Sequence, residues 1–227
     1  MIIQGTETLS SFIHIVSESL LTPVMILIVV GLIVVILCIG GLINERISRK
    51  AISSEELESL VRDVSFSQSH SEIEKHIEES NLFDFQKNVL VKIANNYDIG
   101  SEARKALASE LISAEETKLI KSTNKTDVLV RVGPILGLLG TLIPLGPGLA
   151  ALGSGDIVTL AEALTVAFDT TVTGLVIGAL AYLVSKFKKQ WYESDLIVLE
   201  TIAEAELETL NRKWVSCLGK NVELVNL

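Results

Sequence analysis

Two long apolar stretches of this chain carry polar side chains that could handle an ion. Thr141 stands in the first, and Thr165, Asp169, Thr170, Thr171 and Thr173 stand in the second, with Glu162 one heptad before Asp169. A carboxylate can take up and release a proton or a small cation, but inside a membrane it costs at least about 2.5 kcal/mol unless it faces protein or water. Asp169 is therefore a functional candidate by default, whereas Glu162 also fits a marker of the outer interface. For the threonines the competing fate is a hydrogen bond from each hydroxyl back to the preceding helical turn. A cluster of hydroxyls on one helix beside a carboxylate favours a shared role.

The residues around these groups set how they are positioned. The first stretch contains Gly133, Gly137, Gly140, Gly146, Gly148 and Gly153 together with Pro134, Pro144 and Pro147, an expensive composition for an isolated helix. Gly133 with Gly137, and Gly174 with Gly178 in the second stretch, repeat at the four-residue spacing that lets helix backbones approach closely. Both helices therefore expect protein neighbours rather than lipid. Packing alone accounts for the glycines, though not for Asp169. Pro144 and Pro147 predict a break, kinked or unwound, just beyond Thr141.

Composition agrees with a membrane setting. Of 227 residues, 48% are hydrophobic and only 5% aromatic, and the mean hydropathy is +0.47, above the range of ordinary soluble domains. Residues 23–43 carry no charge and are long enough to cross a hydrocarbon core of about 30 Å. Residues 132–153 and 157–185 supply two further spans, the last interrupted by Glu162 and Asp169. The leader 1–22 holds Glu7 and Glu18 with no Lys or Arg, the reverse of a cleaved signal peptide.

Arg46, Arg49 and Lys50 follow the first span; Lys118, Lys121, Lys125 and Arg131 precede the second; Lys186, Lys188 and Lys189 follow the third. Lys and Arg near span ends stay in the cytoplasm, so residues 1–22 and the turn 154–156 are expected outside, and 44–131 and 186–227 inside. The net charge of -9 argues against a nucleic-acid-binding role. Cys38 and Cys217, and His14, His70 and His76, show no metal-ligand spacing.

The inner segments read as helix because Pro is absent between Pro23 and Pro134, and Gly100 is the sole Gly between Gly41 and Gly133. Ser53 and Glu56 form a capping box before Leu57, Leu60, Val61 and Val64. Phe85, Val89, Ile93 and Tyr97 share a face, and Ser101 starts a helix through Leu107 and Leu111 into the second span. In the tail, Leu196, Leu199, Ala203, Leu207, Leu210 and Trp214 form a seam that packs either on the chain's own inner domain or on neighbouring subunits. The fold class is an all-α membrane protein, three transmembrane helices with long cytoplasmic helical extensions.

The string Gly133-Pro134-Ile135-Leu136-Gly137-Leu138-Leu139-Gly140-Thr141 resembles the second conserved helix of the MotA/TolQ/ExbB family of proton-channel proteins. Ala161-Glu162-Ala163-Leu164 and Thr171-Val172-Thr173-Gly174-Leu175 resemble the family's next helix, and the order of spans and insert is similar to the ExbB and TolQ branch. The resemblance implies a homopentamer in the inner membrane whose second and third helices surround a small single-span partner similar to ExbD, TolR or MotB. In that family the partner carries an ion-accepting Asp, and flow of H⁺ or Na⁺ drives rotation; no bound cofactor is implied. The family's pore threonines fall on Thr141 and, aligned on Gly174-Leu175, on Thr171; aligned on Glu162, the second falls on Ala167. Asp169 has no counterpart in the motif, so it either joins the ion path or bonds across a helix contact.

Two other functions compete. Gly153-Ser154-Gly155-Asp156 spells the GxGD string of intramembrane aspartyl proteases, with Phe168-Asp169 as a possible second aspartate motif, but their order is reversed and the string sits in a turn. A non-conducting scaffold explains the glycines and leaves Asp169 unexplained.

Overall fold

The computed structural model describes residues 5–49 and 52–225, with side chains described for Leu9, 11–49 and 52–213. Lys50, Trp214 and Cys217 therefore lie outside the described side chains, as does Glu7. The regular structure of the described residues is all helical: α1 Gly5–Ser19, α2 Leu21–Ser48, α3 Ser54–Phe66, α4 His70–Glu79, α5 Asp84–Asn95, α6 Ser101–Gly153 and α7 Ile157–Val225. Three stretches, Ser11–Ser48, Ser101–Gly153 and Ile157–Lys213, are long and apolar enough to cross a membrane. The leader is itself helical, an element the sequence reading did not draw there.

The contacts divide the chain into two compact units, Met1–Ile47 with Thr123–Lys188, and Ser48–Ser122 with Lys189–Leu227. In the first unit, Val24, Ile28 and Val35 of α2 are buried with Ile177 and Ala181 of α7, and Leu129, Leu136 and Ile143 of α6 pack against them. The outward side chains of α2, such as Ile26, Val29, Ile33 and Leu37, are about half exposed or more, the surface expected of a helix facing lipid.

α6 runs as helix through Pro134, Pro144 and Pro147, so the unwinding expected at Pro144 and Pro147 is not found. A proline removes one backbone donor and leaves the carbonyl four residues earlier without its usual partner, yet the flanking bonds and tertiary packing carry the helix on. Here Pro144 is buried and the neighbouring Gly140 and Gly148 lie against α7. Packing on α7 therefore holds the helix together across the proline pair.

The second unit is a small helical domain. Ser53 caps α3 by accepting from the Glu56 amide at 3.2 Å, and the Glu56 carboxylate accepts from the Ser53 amide at 3.0 Å, the expected capping box. Those bonds, first the one from the Ser53 backbone, hold the Glu56 carboxyl below its ordinary range. Leu60, Val64, Ile73, Ile77, Val89, Leu90 and Ile93 form one core with Leu199, Ile202, Ala203 and Leu210 of α7. The tail seam is thus packed on the chain's own domain. Arg49 anchors the same unit, its guanidinium bonded to the Asp195 carboxylate and lying 5.0 Å from the Phe83 ring centre and 5.3 Å from that of Trp191.

Arg104 and Glu206 are enclosed in this domain, 1% and 0% exposed. Arg104 donates to the backbone carbonyls of Asn96, Tyr97 and Ile99 at 3.2, 2.6 and 2.8 Å, closing the end of α5. Its Nη1 and both Glu206 carboxylate oxygens have no hydrogen-bond partner among the described residues. Burial pushes the Glu206 carboxyl well above its ordinary range, with the Arg104 charge opposing. The folded state therefore binds a proton that the unfolded state has released, and stability falls as pH rises from the ordinary carboxylate range toward the raised value. Glu206→Gln should raise the melting temperature at about pH 8 and flatten its decline from about pH 5, because the amide keeps the shape without an ionisable proton. An unchanged slope in thermal unfolding would show that Glu206 does not titrate in this range.

Candidate functional site

The polar residues of the first unit sit on antiparallel helices, α6 and α7, joined by the tight turn Ser154–Asp156. Gly155 takes a positive φ of 84°, which glycine adopts without penalty, and Asp156 accepts from the Thr159 amide at 3.1 Å and from the Thr159 hydroxyl at 2.6 Å. These bonds, the hydroxyl's first, hold the Asp156 carboxyl below its ordinary range. Asp156 is thereby a helix cap, and it lies thirteen residues, about 20 Å along a helix, from Asp169. Two carboxylates so far apart within one chain cannot share a proton, which removes the geometry an aspartyl-protease site requires.

The glycines bring α6 and α7 into backbone contact. A Cβ placed on Gly133 would lie 3.0 Å from the Gly174 carbonyl oxygen, one on Gly137 would lie 3.1 Å from that of Thr170, and one on Gly178 would lie 2.7 Å from the Pro134 ring. A Cβ on Gly174 would meet Gly137 Cα at 2.6 Å and the Gly133 carbonyl oxygen at 2.7 Å. Gly140 faces the Thr170 side chain, and Gly148 faces Ala163. Both helices have the close protein neighbour that their glycines required, and that neighbour is the other helix of the same chain.

This contact places Thr141 beside Thr171, and their hydroxyls are hydrogen-bonded to each other. Thr141 Oγ1 also lies 2.8 Å from the Gly137 carbonyl and Thr171 Oγ1 lies 3.0 Å from the Ala167 carbonyl. The residue opposite Thr141 is thus Thr171, while Ala167 is buried at 2% exposure. Thr165, Thr170 and Thr173 donate to the carbonyls of Ala161, Val166 and Asp169 at 2.9, 2.9 and 2.7 Å. With one proton on each hydroxyl, one of Thr141 and Thr171 donates to the other while its partner donates to its own helix, and the remaining lone pairs can coordinate a cation.

Asp169 does not join the hydroxyl pair. It follows Ala167 and precedes Thr171 by two residues, which turns it about 200° around the helix from Thr171. Glu162, Thr165 and Asp169 are all exposed, clear of the faces of α7 that take α2 and α6. Among the described residues the Asp169 carboxylate makes no hydrogen bond or ion pair. The structure therefore separates the candidate residues into two sets, a half-buried Thr141–Thr171 pair and an exposed stripe of Glu162, Thr165 and Asp169.

Sequence reasoning passed over one further polar contact between these helices. The Ser185 hydroxyl donates to the Asp127 carboxylate, with Ser185 4% exposed and the buried Thr123 and Thr126 on the same stretch of α6. Asp127 stands between Lys125 and Arg131 and reads as part of a solvated charged flank. Its fourteen-residue distance from Thr141, matched by that from Thr171 to Ser185, was the signal available.

Three membrane-crossing helical stretches, two of them locked by glycine contacts around a hydroxyl pair, define a helical membrane protein. Residues 73–201, more than half of the chain, match the model of the MotA/TolQ/ExbB proton channel family, and the chain belongs to that family. The comparison with curated proteins found no match.

Proposed function

We propose that this chain is the ion-conducting subunit of a membrane motor driven by a transmembrane gradient of H⁺ or Na⁺. In this reading about five copies form a ring in the inner membrane around a small single-span partner similar to ExbD, TolR or MotB, whose own carboxylate takes the ion. The N-terminus lies outside, and residues 44–131 with the tail from Lys186 lie in the cytoplasm, as the basic residues require. The observation that carries the reading is the Thr141–Thr171 hydroxyl pair, set between two spans that the family's motif covers. The exposed Asp169 stripe supports assembly, because an ionisable side chain in a span does not face hydrocarbon without a large cost. The contacts of Gly133, Gly137, Gly140, Gly148, Gly174 and Gly178 lie within one chain, so these glycines do not bear on the ring.

The complex should be purified with the product of the neighbouring reading frame, weighed by native mass spectrometry and placed in proteoliposomes under an imposed pH or Na⁺ gradient. A mass for five copies of this chain with its partner, and flux down one gradient, is expected. Thr141→Val with Thr171→Val keeps volume while deleting both hydroxyls, so the double variant should assemble and lose at least about tenfold in flux, equivalent to about 1.4 kcal/mol. Monomers or dimers in several mild detergents, or undiminished flux in the double variant, would overturn the reading.

A further inference from the structure

Polar contacts that join α6 to α7 in the membrane unit include Thr141 with Thr171 and Asp127 with Ser185. Asp127 lies fourteen residues before Thr141, and Ser185 fourteen after Thr171, so the two contacts share one register of the antiparallel pair. Fourteen residues are nearly four full turns, which puts both contacts on the same side of α6 to within about 40° and about 21 Å apart along it. Between them the helices touch through Gly133, Gly137, Gly174 and Gly178, leaving no passage between the helices themselves. Any route from one contact to the other would follow the outside of the helix pair, where Leu138, Leu175 and Tyr182 stand 57%, 55% and 52% exposed.

The chemistry of the two ends differs. Threonine hydroxyls offer lone pairs but hold no charge, and Leu138 and Leu175 between the ends offer no polar side-chain atom. A cation that has crossed such a segment without its hydration shell is stabilised by a carboxylate at the segment's end, whose charge offsets the cost of burial. Asp127 stands at that place, five residues before the uncharged run that starts at Val132, in the segment next to the basic flank. Asp169 does not, because it is turned about 200° from Thr171.

We infer that Asp127, positioned by Ser185, is the cation-accepting carboxylate at the inner end of the path that passes the Thr141–Thr171 pair. The ion binds the carboxylate as it leaves the apolar segment and departs from it to water. This rests on the proposed ion-conducting function. It assigns to the large subunit a second acceptor, distinct from the partner's carboxylate.

The test uses the complex in proteoliposomes, with a pH gradient in one arm and a Na⁺ gradient in the other to distinguish the two ions. Asp127→Asn keeps a hydrogen-bonding partner for Ser185. It should assemble with the wild-type mass and melting temperature and lose at least tenfold in flux, whereas Asp127→Glu should retain part of it and Asp169→Asn should conduct as wild type. Flux of D127N within twofold of wild type would reduce Asp127 to a clamp between helices, and loss of flux in D169N instead would place the carboxylate of the path elsewhere. Should D127N fail to assemble, Ser185→Ala decides. A changed pH or Na⁺ concentration for half-maximal flux supports the assignment, and an unchanged one overturns it. Absence of flux in the wild type, or full flux in the T141V/T171V pair, would instead sink the ion-conducting function itself.

Discussion

Gly174→Ala should abolish the close contact of α6 with α7. The added methyl group would meet Gly137 Cα at 2.6 Å, the Gly133 carbonyl oxygen at 2.7 Å and the Gly137 nitrogen at 2.8 Å, all backbone atoms that no side-chain rotation can clear. Overpacking in a well-packed core costs about 1–3 kcal/mol, and a backbone clash on three sides belongs at or above the top of that range. The helices would have to separate, pulling Thr141 from Thr171. A Gly41→Ala variant is the control, since nothing lies within 4 Å of a Cβ there. Thermal unfolding in a mild detergent should show a large drop for Gly174→Ala and little change for Gly41→Ala. Equal melting temperatures for the two would mean that the glycine contact does not hold the membrane unit together.

Arg49→Ala should have a comparable effect on the helical domain. The Arg49 and Asp195 side chains are only 11% and 7% exposed, so both charges have left most of their water. Removing one member of a buried pair typically costs about 3–5 kcal/mol, because the remaining charge keeps its desolvation penalty and loses its compensation. The guanidinium also stacks near Phe83, Trp191 and Tyr192, so its loss opens a gap among aromatic rings. Asp195→Asn combined with Arg49→Met should recover a large part of the stability, since it deletes both charges while filling the volume. Chemical denaturation followed by tryptophan emission would report this through Trp191. A single Arg49→Ala variant as stable as wild type would show that the pair contributes nothing net.

These two sites show how differently the same chain was legible. The glycines announced close packing through their spacing alone, because the absence of a side chain is a local property with one main structural use in a membrane helix. Which helix they would meet was open, and the antiparallel return at Ser154–Asp156 decided it by laying α7 directly on α6. Arg49 was legible only as one of several basic residues after the first span. Its role depends on Asp195, nearly 150 positions away in sequence.

The sequence by itself determined the class of fold, the three apolar stretches, the capping box at Ser53, the helix start at Ser101 and the family motif around Thr141. Each of these follows from periodicity, length or a short string, and each is fixed by interactions within a few residues. Tertiary structure decided that Thr171 rather than Ala167 meets Thr141, because register between antiparallel helices is set by the whole glycine interface. It also carried α6 through Pro144 and Pro147, where local rules call for a break, since packing against α7 outweighs the missing backbone donors. The tail seam folded onto its own domain, where α3, α4 and α5 supply the apolar surface that covers it. Asp169 shares a sequence neighbourhood with Thr171 but not a direction: two residues along a helix reverse the face, and only the packed partners of α7 show which face belongs to the hydroxyls.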